Sequence, residues 1–404
     1  MKKIIGIVLF TLLGSIVVTE TCHAIPAVGR KYRISCKVCH APAAPKLKAY
    51  GDDYAGDGFR LEDYDSPGYY VDAGDERLSL LREFPLAVRL DGFVTYNMTG
   101  SNKSDFGTPY LMKLLSGGAI SDHVSYYFYF YMSEAGEIAG VEDAYLMYNN
   151  LFNSPLDIML GQFQVSDPLF KRELRLSLED YELYTSQIGM SRMTLKYDKG
   201  VMLTYGFETG TDVVFEVVNG NGITEAEFNI FDEDKYKSYM GRISQNIGDF
   251  LRVGGFAYLG KEHLENNFGN AITNEVSIIG PDFTLTPTDK LEVNFQYTLR
   301  NDARVFAAPS SPTAREDLTT EGLLGEAIFM PQGDQSNWYL LGLYNKVESD
   351  FNPADYESFT FHGGYLLRRN VRLAGEYTYV TEGMTDEGMK EDFGRFSVGV
   401  VSAF

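Results

Sequence analysis

Beyond residue 24 this chain has no run of 18 or more apolar residues. That excludes a membrane-spanning helix. It does not exclude a membrane, because a β-barrel shows only short alternating segments. Cysteine is scarce, with three in 404 residues, at positions 22, 36 and 39. Tryptophan occurs once, at Trp338, so any aromatic girdle must be drawn from the 28 Tyr and 27 Phe. Basic charge is in deficit, 35 Lys and Arg against 56 Asp and Glu, for a net charge of −21. That balance argues against nucleic acid as a partner and suits cations, or simply solubility. No Ser-His-Asp, phosphate-loop or dinucleotide motif stands in a credible context. The mean hydropathy of −0.18 fits a soluble protein or a barrel alike.

Residues 1–24 read as an export signal. Lys2 and Lys3 supply the positive start, Ile4 to Val18 the apolar stretch, and Cys22-His23-Ala24 puts small side chains at −3 and −1 of a cleavage site after Ala24. Cys22 is then lost, and one cysteine pair remains. That pair lies in Cys36-Lys37-Val38-Cys39-His40, a c-type haem attachment signature. Two thiols at this spacing suit thioethers to the two vinyl groups of one haem, and His40 then falls under the iron as proximal ligand. A zinc site would need two further Cys or His at short spacing, and none follows. Export fits this chemistry, since c-type haem is attached outside the cytoplasm.

From about residue 84 the pattern is β. Leu86, Val88, Leu90, Val94 and Tyr96 share one face, against Arg89, Asp91, Thr95 and Asn97. Leu291 to Leu299 alternate with Glu292, Asn294, Gln296, Thr298 and Arg300. Val371, Leu373, Tyr377 and Tyr379 alternate with Arg372, Glu376 and Thr378. Period alone does not tell a soluble sandwich from a barrel. Three features favour the barrel. Short turns near 121–123, 248–250, 288–290 and 369–370 alternate with long polar loops near 99–107, 165–191, 219–235, 261–270, 301–322, 347–357 and 381–391. The scheme counts about sixteen strands. The chain ends in one aromatic and β-branched phase at Phe404, as bacterial outer-membrane proteins do. The expected fold is all-β: a transmembrane antiparallel barrel of about sixteen strands over 84–404. A short, mostly helical haem segment over 25–83 is expected to plug the lumen, since a cylinder this wide leaves a channel.

In the haem segment, Arg30, Lys31 and Arg33 precede the motif and fit either propionate partners or ordinary surface charge. Leu47, Tyr50 and Tyr54 stand three and four apart, so a short helix is expected to lay that face on a porphyrin, ended by Gly56 and Gly58. The order of signal peptide, one CxxCH, Pro45-x-Leu47-x-x-Tyr50-Gly51, Gly58-Phe59 and a long barrel resembles the fused monohaem cytochrome–porins of bacterial outer membranes. That family includes the ferrous-iron oxidases of iron-oxidising bacteria. Tyr50 stands where phenylalanine is commoner, and Ala41 follows the haem histidine. The resemblance implies an electron conduit with one covalent haem c. Its donor would be extracellular ferrous iron, its acceptor a periplasmic cytochrome, and its activity that of a ferrous-iron oxidase. Outward transfer to an external acceptor and a diffusion porin with a haem-bearing plug are the other readings.

Between Ala24 and Met98 there is no methionine and no histidine other than His40. A distal Met or His ligand must therefore come from the barrel, or the iron is five-coordinate or takes a weaker ligand. His362 sits in strand phase opposite Phe359, Phe361 and Tyr365, which points it inward, and His123 lies in a turn near the entry of the haem segment. His263 falls in an outer loop; Met98 shares an apolar phase, and Met112 is a further candidate. Acidic clusters at Glu225, Glu227 and 232–234, and at Glu382, Asp386, Glu387, Glu391 and Asp392, suit divalent cations or a hydrated surface. The 165–191 stretch mixes both charges with bulky apolar residues, and fits an inward constriction or an outer helix.

Overall fold

The computed structural model describes residues 27–404 apart from 33, 61–69, 72–73, 76, 79, 82–83, 99–102 and 384–391. The export signal with Cys22, as well as Arg33, Asp386, Glu387 and Glu391, lies outside the described residues. A small antiparallel ladder joins β1 (Tyr70–Val71) to β2 (Leu80–Leu81). Sixteen further strands among the described residues close into one antiparallel barrel. They are β3 (Leu86–Met98), β4 (Lys103–Ala119), β5 (Val124–Glu134), β6 (Gly140–Tyr148), β7 (Leu156–Gln164), β8 (Tyr197–Gly206), β9 (Thr211–Val218) and β10 (Ser238–Ile247). They continue as β11 (Leu251–Glu265), β12 (Ala271–Thr288), β13 (Leu291–Phe306), β14 (Ala314–Phe329), β15 (Trp338–Ser349), β16 (Tyr356–Arg368), β17 (Val371–Glu382) and β18 (Phe393–Ala403).

The seam is β3 on β18, in register from Gly394 opposite Met98 to Ala403 opposite Arg89. Val88 and Phe404 exchange backbone bonds at 2.7 and 2.9 Å, so the barrel begins and ends at one rim. The shortest turns, 248–250, 289–290 and 369–370, lie at that rim, and the two longest connections, 165–196 and 219–237, lie at the other. A sixteen-strand antiparallel barrel was the expected fold. The loops expected near 261–270 and 301–322 are shorter than expected, because β11, β13 and β14 run on through 251–265, 291–306 and 314–329. Polar residues there pair across strands: Lys261 with Glu275 at 2.6 Å and Arg304 with Glu316 at 3.3 Å. Spanning a bilayer takes about 9–11 residues per strand, whereas β12 has 18. The wall therefore continues past the lipid, where such pairs face water.

The alternation is inverted relative to a soluble protein. On β13 the polar residues Asn294, Gln296, Thr298 and Arg300 are buried, whereas the apolar phase is partly exposed. On β16, Thr360 and His362 are buried while Phe359, Phe361 and Tyr365 are exposed. Leu146, Leu160, Ile243, Leu259, Ile279 and Leu340 extend this apolar outer belt. A barrel carrying its apolar residues outside is built for lipid. Buried ion pairs brace the inner face, including Arg242–Asp282 at 2.5 Å and Arg300–Asp302 at 2.6 Å.

Candidate functional site

Two segments occupy the lumen. The first carries the CxxCH motif. A helix, Ala27–Tyr32, leads to a single 3-10 turn at Cys36–Val38. His40 N–H donates to the Cys36 carbonyl at 2.8 Å, and Lys48 N–H donates to the Cys39 carbonyl at 3.0 Å. One tight turn thus fixes both thiols and the imidazole. His40 Nδ1 lies 3.1 Å from the carbonyl oxygens of both Pro45 and Lys46. Carbonyls only accept, so Nδ1 carries the proton and Nε2 keeps its lone pair. Burial pushes the His40 pKa below its ordinary value, favouring the neutral ring. Burial also pushes the thiols of Cys36 and Cys39 up.

The helix Ala49–Gly56 packs flush on this turn. A Cβ at Gly51 would run into the Cys39 carbonyl oxygen, so only glycine permits the approach. Leu47, Gly51, Tyr54 and Ala55 face the cavity described below, but Tyr50 is 47% exposed. The expected Leu47–Tyr50–Tyr54 face is therefore corrected. The helix starts at Ala49 after extended Lys48, which rotates Tyr50 outward and brings Gly51 and Ala55 in. Gly58 and Phe59 end the segment in left-handed conformations, φ +71° and +60°. Phe59 then stacks on Tyr127 of β5, ring centroids 5.1 Å apart.

The segment is tied to the rim of short turns. Lys46 pairs with Glu292 at 2.7 Å and Lys48 with Asp334 at 2.6 Å. Asn149 Nδ2 donates to the Gly56 carbonyl at 2.9 Å. Of the basic run, Arg30 donates to the Leu86 carbonyl, which ties it to the first wall strand.

The second lumen segment is a strap, residues 165–196, between β7 and β8. It folds inward, which resolves the two readings of 165–191. The wall holds it at many points. Leu178 and Glu179 N–H donate to Glu376 at 2.7 and 3.0 Å, and Tyr181 OH donates to Glu326 at 3.0 Å. Ser191 and Arg192 donate to Glu262, and Arg300 Nη1 donates to the Met193 carbonyl at 2.7 Å. Tyr184, Met193 and Leu195 pack on Met240, Tyr258 and Ile278 in the main buried cluster.

The wall and both segments line a cavity of about 260 Å³. Cys36, Cys39 and His40 line it together. Its sides are Leu47, Tyr54 and Phe59 from the first segment, and Leu115, Tyr127 and Tyr145 from the wall. Charge gathers where Asp143 of the wall meets Asp167, Lys171 and Glu173 of the strap. Lys171 Nζ is 3.0 Å from Asp167. Burial alone would lower the Lys171 pKa, but Asp167 and Asp143 hold it above the ordinary value. Burial alone would raise Glu173, but Lys113 and Arg175 hold its carboxyl well below the usual range.

The distal candidates fall elsewhere. His362 does point inward, but Nδ1 donates to Glu376 at 2.9 Å and Nε2 lies 3.1 Å from the Tyr339 hydroxyl. His123 sits in the β4–β5 turn, with Nδ1 3.1 Å from the Asn149 carbonyl and its ring on exposed Tyr148. His263 and Met98 are exposed, and Met112 lies in the strand phase opposite Leu111 and Lys113. None of the five lines the cavity. Among the described residues, no group of three or more His, Cys, Asp or Glu is arranged to hold an ion. Sequence reasoning did not single out Asp143, Tyr127 or Tyr145; their inward phase on β5 and β6 was the available signal.

No family model matches the chain, and no curated protein matches it. Its fold is shared with solved porins. It resembles the outer-membrane channel DcaP of Acinetobacter baumannii at 14% identity and TM-score 0.55, over 79% of this chain and 96% of that one. The anion-selective porin from Comamonas acidovorans matches at 11% identity and TM-score 0.55, over 80% and 99%. Salmonella typhi OmpF, in a complex with daunomycin, matches at 14% identity and TM-score 0.54, over 79% and 97%. At these identities the likeness is one of architecture: this chain has a closed porin-type barrel of sixteen strands.

Proposed function

We propose that the protein is an electron conduit of the bacterial outer membrane, carrying one haem c joined through Cys36 and Cys39 with His40 as proximal ligand. One observation carries the reading: both thiols and the imidazole line a single cavity inside a porin-type barrel. The residues present fit the group. His40 offers Nε2 because backbone carbonyls hold Nδ1–H. Tyr54, Phe59, Tyr127 and Tyr145 offer ring surface, and helix Ala49–Gly56 backs the attachment turn. When bound, the haem supplies one-electron redox chemistry. The chain's own work is to hold the group, exclude water and set the reach to each side. Inward flow, from extracellular ferrous iron to a periplasmic cytochrome, is the favoured direction. The distal position is assigned to no barrel histidine, because His362 and His123 are engaged away from the cavity.

The porin fold itself favours a second reading, a diffusion channel whose plug carries the motif. Against it, the strap and the motif segment both fill the lumen. The test uses outer membranes and vesicles. Covalent haem on the wild-type chain, lost in Cys36→Ser/Cys39→Ser while the barrel still inserts, is the expected result, together with reduction by external ferrous iron and slow solute entry. Rapid solute entry with no covalent pigment would establish the channel reading instead. Reduction from the periplasmic side alone would reverse the direction.

A further inference from the structure

Tyr127, Tyr129 and Tyr131 alternate down the inner face of β5, and their rings touch in sequence. Phe59, at the cavity, stands 5.1 Å from Tyr127; Tyr127 stands 6.1 Å from Tyr129, and Tyr129 5.6 Å from Tyr131. Tyr145 flanks Tyr127 at 5.6 Å, and Tyr197 flanks Tyr129 at 6.4 Å. At about 3.3 Å per residue the file covers roughly 13 Å of strand. It starts at the cavity and ends three residues short of Glu134, where β5 meets the rim of long connections. Among the described residues, the ring contacts unconnected to this file come as pairs or one triad.

The rings are also sealed and held. Tyr129 and Tyr131 are 1% and 3% exposed. Their hydroxyls donate to Glu142 and Glu173, both at 2.9 Å. The Lys113 ammonium sits 4.5 Å over the Tyr129 ring and 5.1 Å over the Tyr131 ring. Hydroxyl partners explain why tyrosines tolerate burial here. They do not explain an unbroken run of ring contacts from the cavity to within three residues of the far rim. Stacked and edge-on rings couple electronically better than aliphatic packing of the same length.

We infer that the β5 tyrosine file is the electronic bridge between the far rim and the haem site. The inference rests on the conduit reading above. One electron passes per event. A one-electron donor at the long-connection rim would give up the electron, and the haem that Cys36, Cys39 and His40 would hold would supply the ferric acceptor. The tyrosines end as they began, each keeping its phenolic proton.

The test places a photoactive ruthenium complex on Glu137→Cys, at the exposed tip after β5, in the full chain in lipid vesicles. A flash delivers one electron, and haem reduction is followed optically. Tyr129→Leu/Tyr131→Leu should slow the transfer by at least an order of magnitude. Tyr129→Phe/Tyr131→Phe, which keeps the rings, should leave it nearly unchanged. So should Tyr126→Leu/Phe128→Leu on the opposite face of the same strand. The haem spectrum and midpoint potential should stay constant throughout, which separates a lost path from a damaged site. Tyr129→Met carries the test if the leucine pair fails to insert. An unslowed leucine pair (or Tyr129→Met in its place), or equal slowing by the opposite-face pair, overturns the bridge. Absence of covalent pigment would instead overturn the conduit reading. The file is then judged alone, by flash oxidation and electron spin resonance: a tyrosyl signal at Tyr127 that survives the leucine pair rejects it.

Discussion

The motif segment and the strap both fill the barrel, and they are held in different ways. The strap is bonded deep in the wall: Glu376, Glu326, Glu262 and Arg300 each reach it from a different strand. The motif segment is instead tied at one rim, by Lys46–Glu292, Lys48–Asp334 and Asn149 on Gly56. The strap is therefore part of the barrel's own interior, and the motif segment is a body docked into what remains. Under the conduit reading proposed above, such an arrangement would let the haem be seated without rebuilding the wall.

The contrast breaks first at Glu376, the strap's best-placed anchor. Glu376→Ala strands the Leu178 and Glu179 amides and His362 in the interior. A loss of about 3–5 kcal/mol is expected, read as a lower urea midpoint for the whole barrel. On the docked side, Gly51→Ala pushes a methyl into the Cys39 carbonyl. Overpacking of this kind costs about 1–3 kcal/mol, and here it should expose the motif segment to protease while the barrel midpoint stays put. A barrel that softens with it would show the two bodies to be one.

Acidity sharpens the comparison next. Burial, then Asp180, pushes Glu182 in the strap up to about 7. Its unfolded pKa is about 4.3, so its contribution is complete below that value and is lost as pH rises through about 7. With the intrinsic rise of exchange with pH divided out, the protection of the strap amides should therefore fall between about pH 4 and pH 7. Glu182→Gln should flatten the response. The smallest effect belongs to the rim: Lys48–Asp334 is partly exposed. Lys48→Ala should cost less than about 1 kcal/mol, and the difference should shrink in high salt.

Much of the wall was legible because a strand's period is two and its two faces here differ in polarity. The Leu291–Arg300 stretch shows both phases cleanly, and β13 obeys them. Strand ends were less legible. Lys261, Arg304 and Glu316 read as loop, since pairing partners on a neighbouring strand are invisible until register is known. The same limit applies to His362. Its inward phase was readable, but its engagement by Glu376 depends on the β16–β17 register that sets the two residues opposite each other. The strap was undecidable because mixed charge with bulky apolar residues suits a surface helix and a crowded interior equally. The tight CxxCH turn is local, and local spacing places its three side chains together. The cavity's other walls come from Tyr127, Asp143 and Lys171, which only the closed cylinder brings near.

β3 opens the barrel wall after the motif segment and lies beside β18, the strand that closes it. Antiparallel bonds lie across the strand axis. A pull on β3 along its own axis would load its ten pairs with β18 together in shear, instead of unzipping them singly. The seam that closes the cylinder is thus oriented to resist a tug along its first strand without opening one bond at a time.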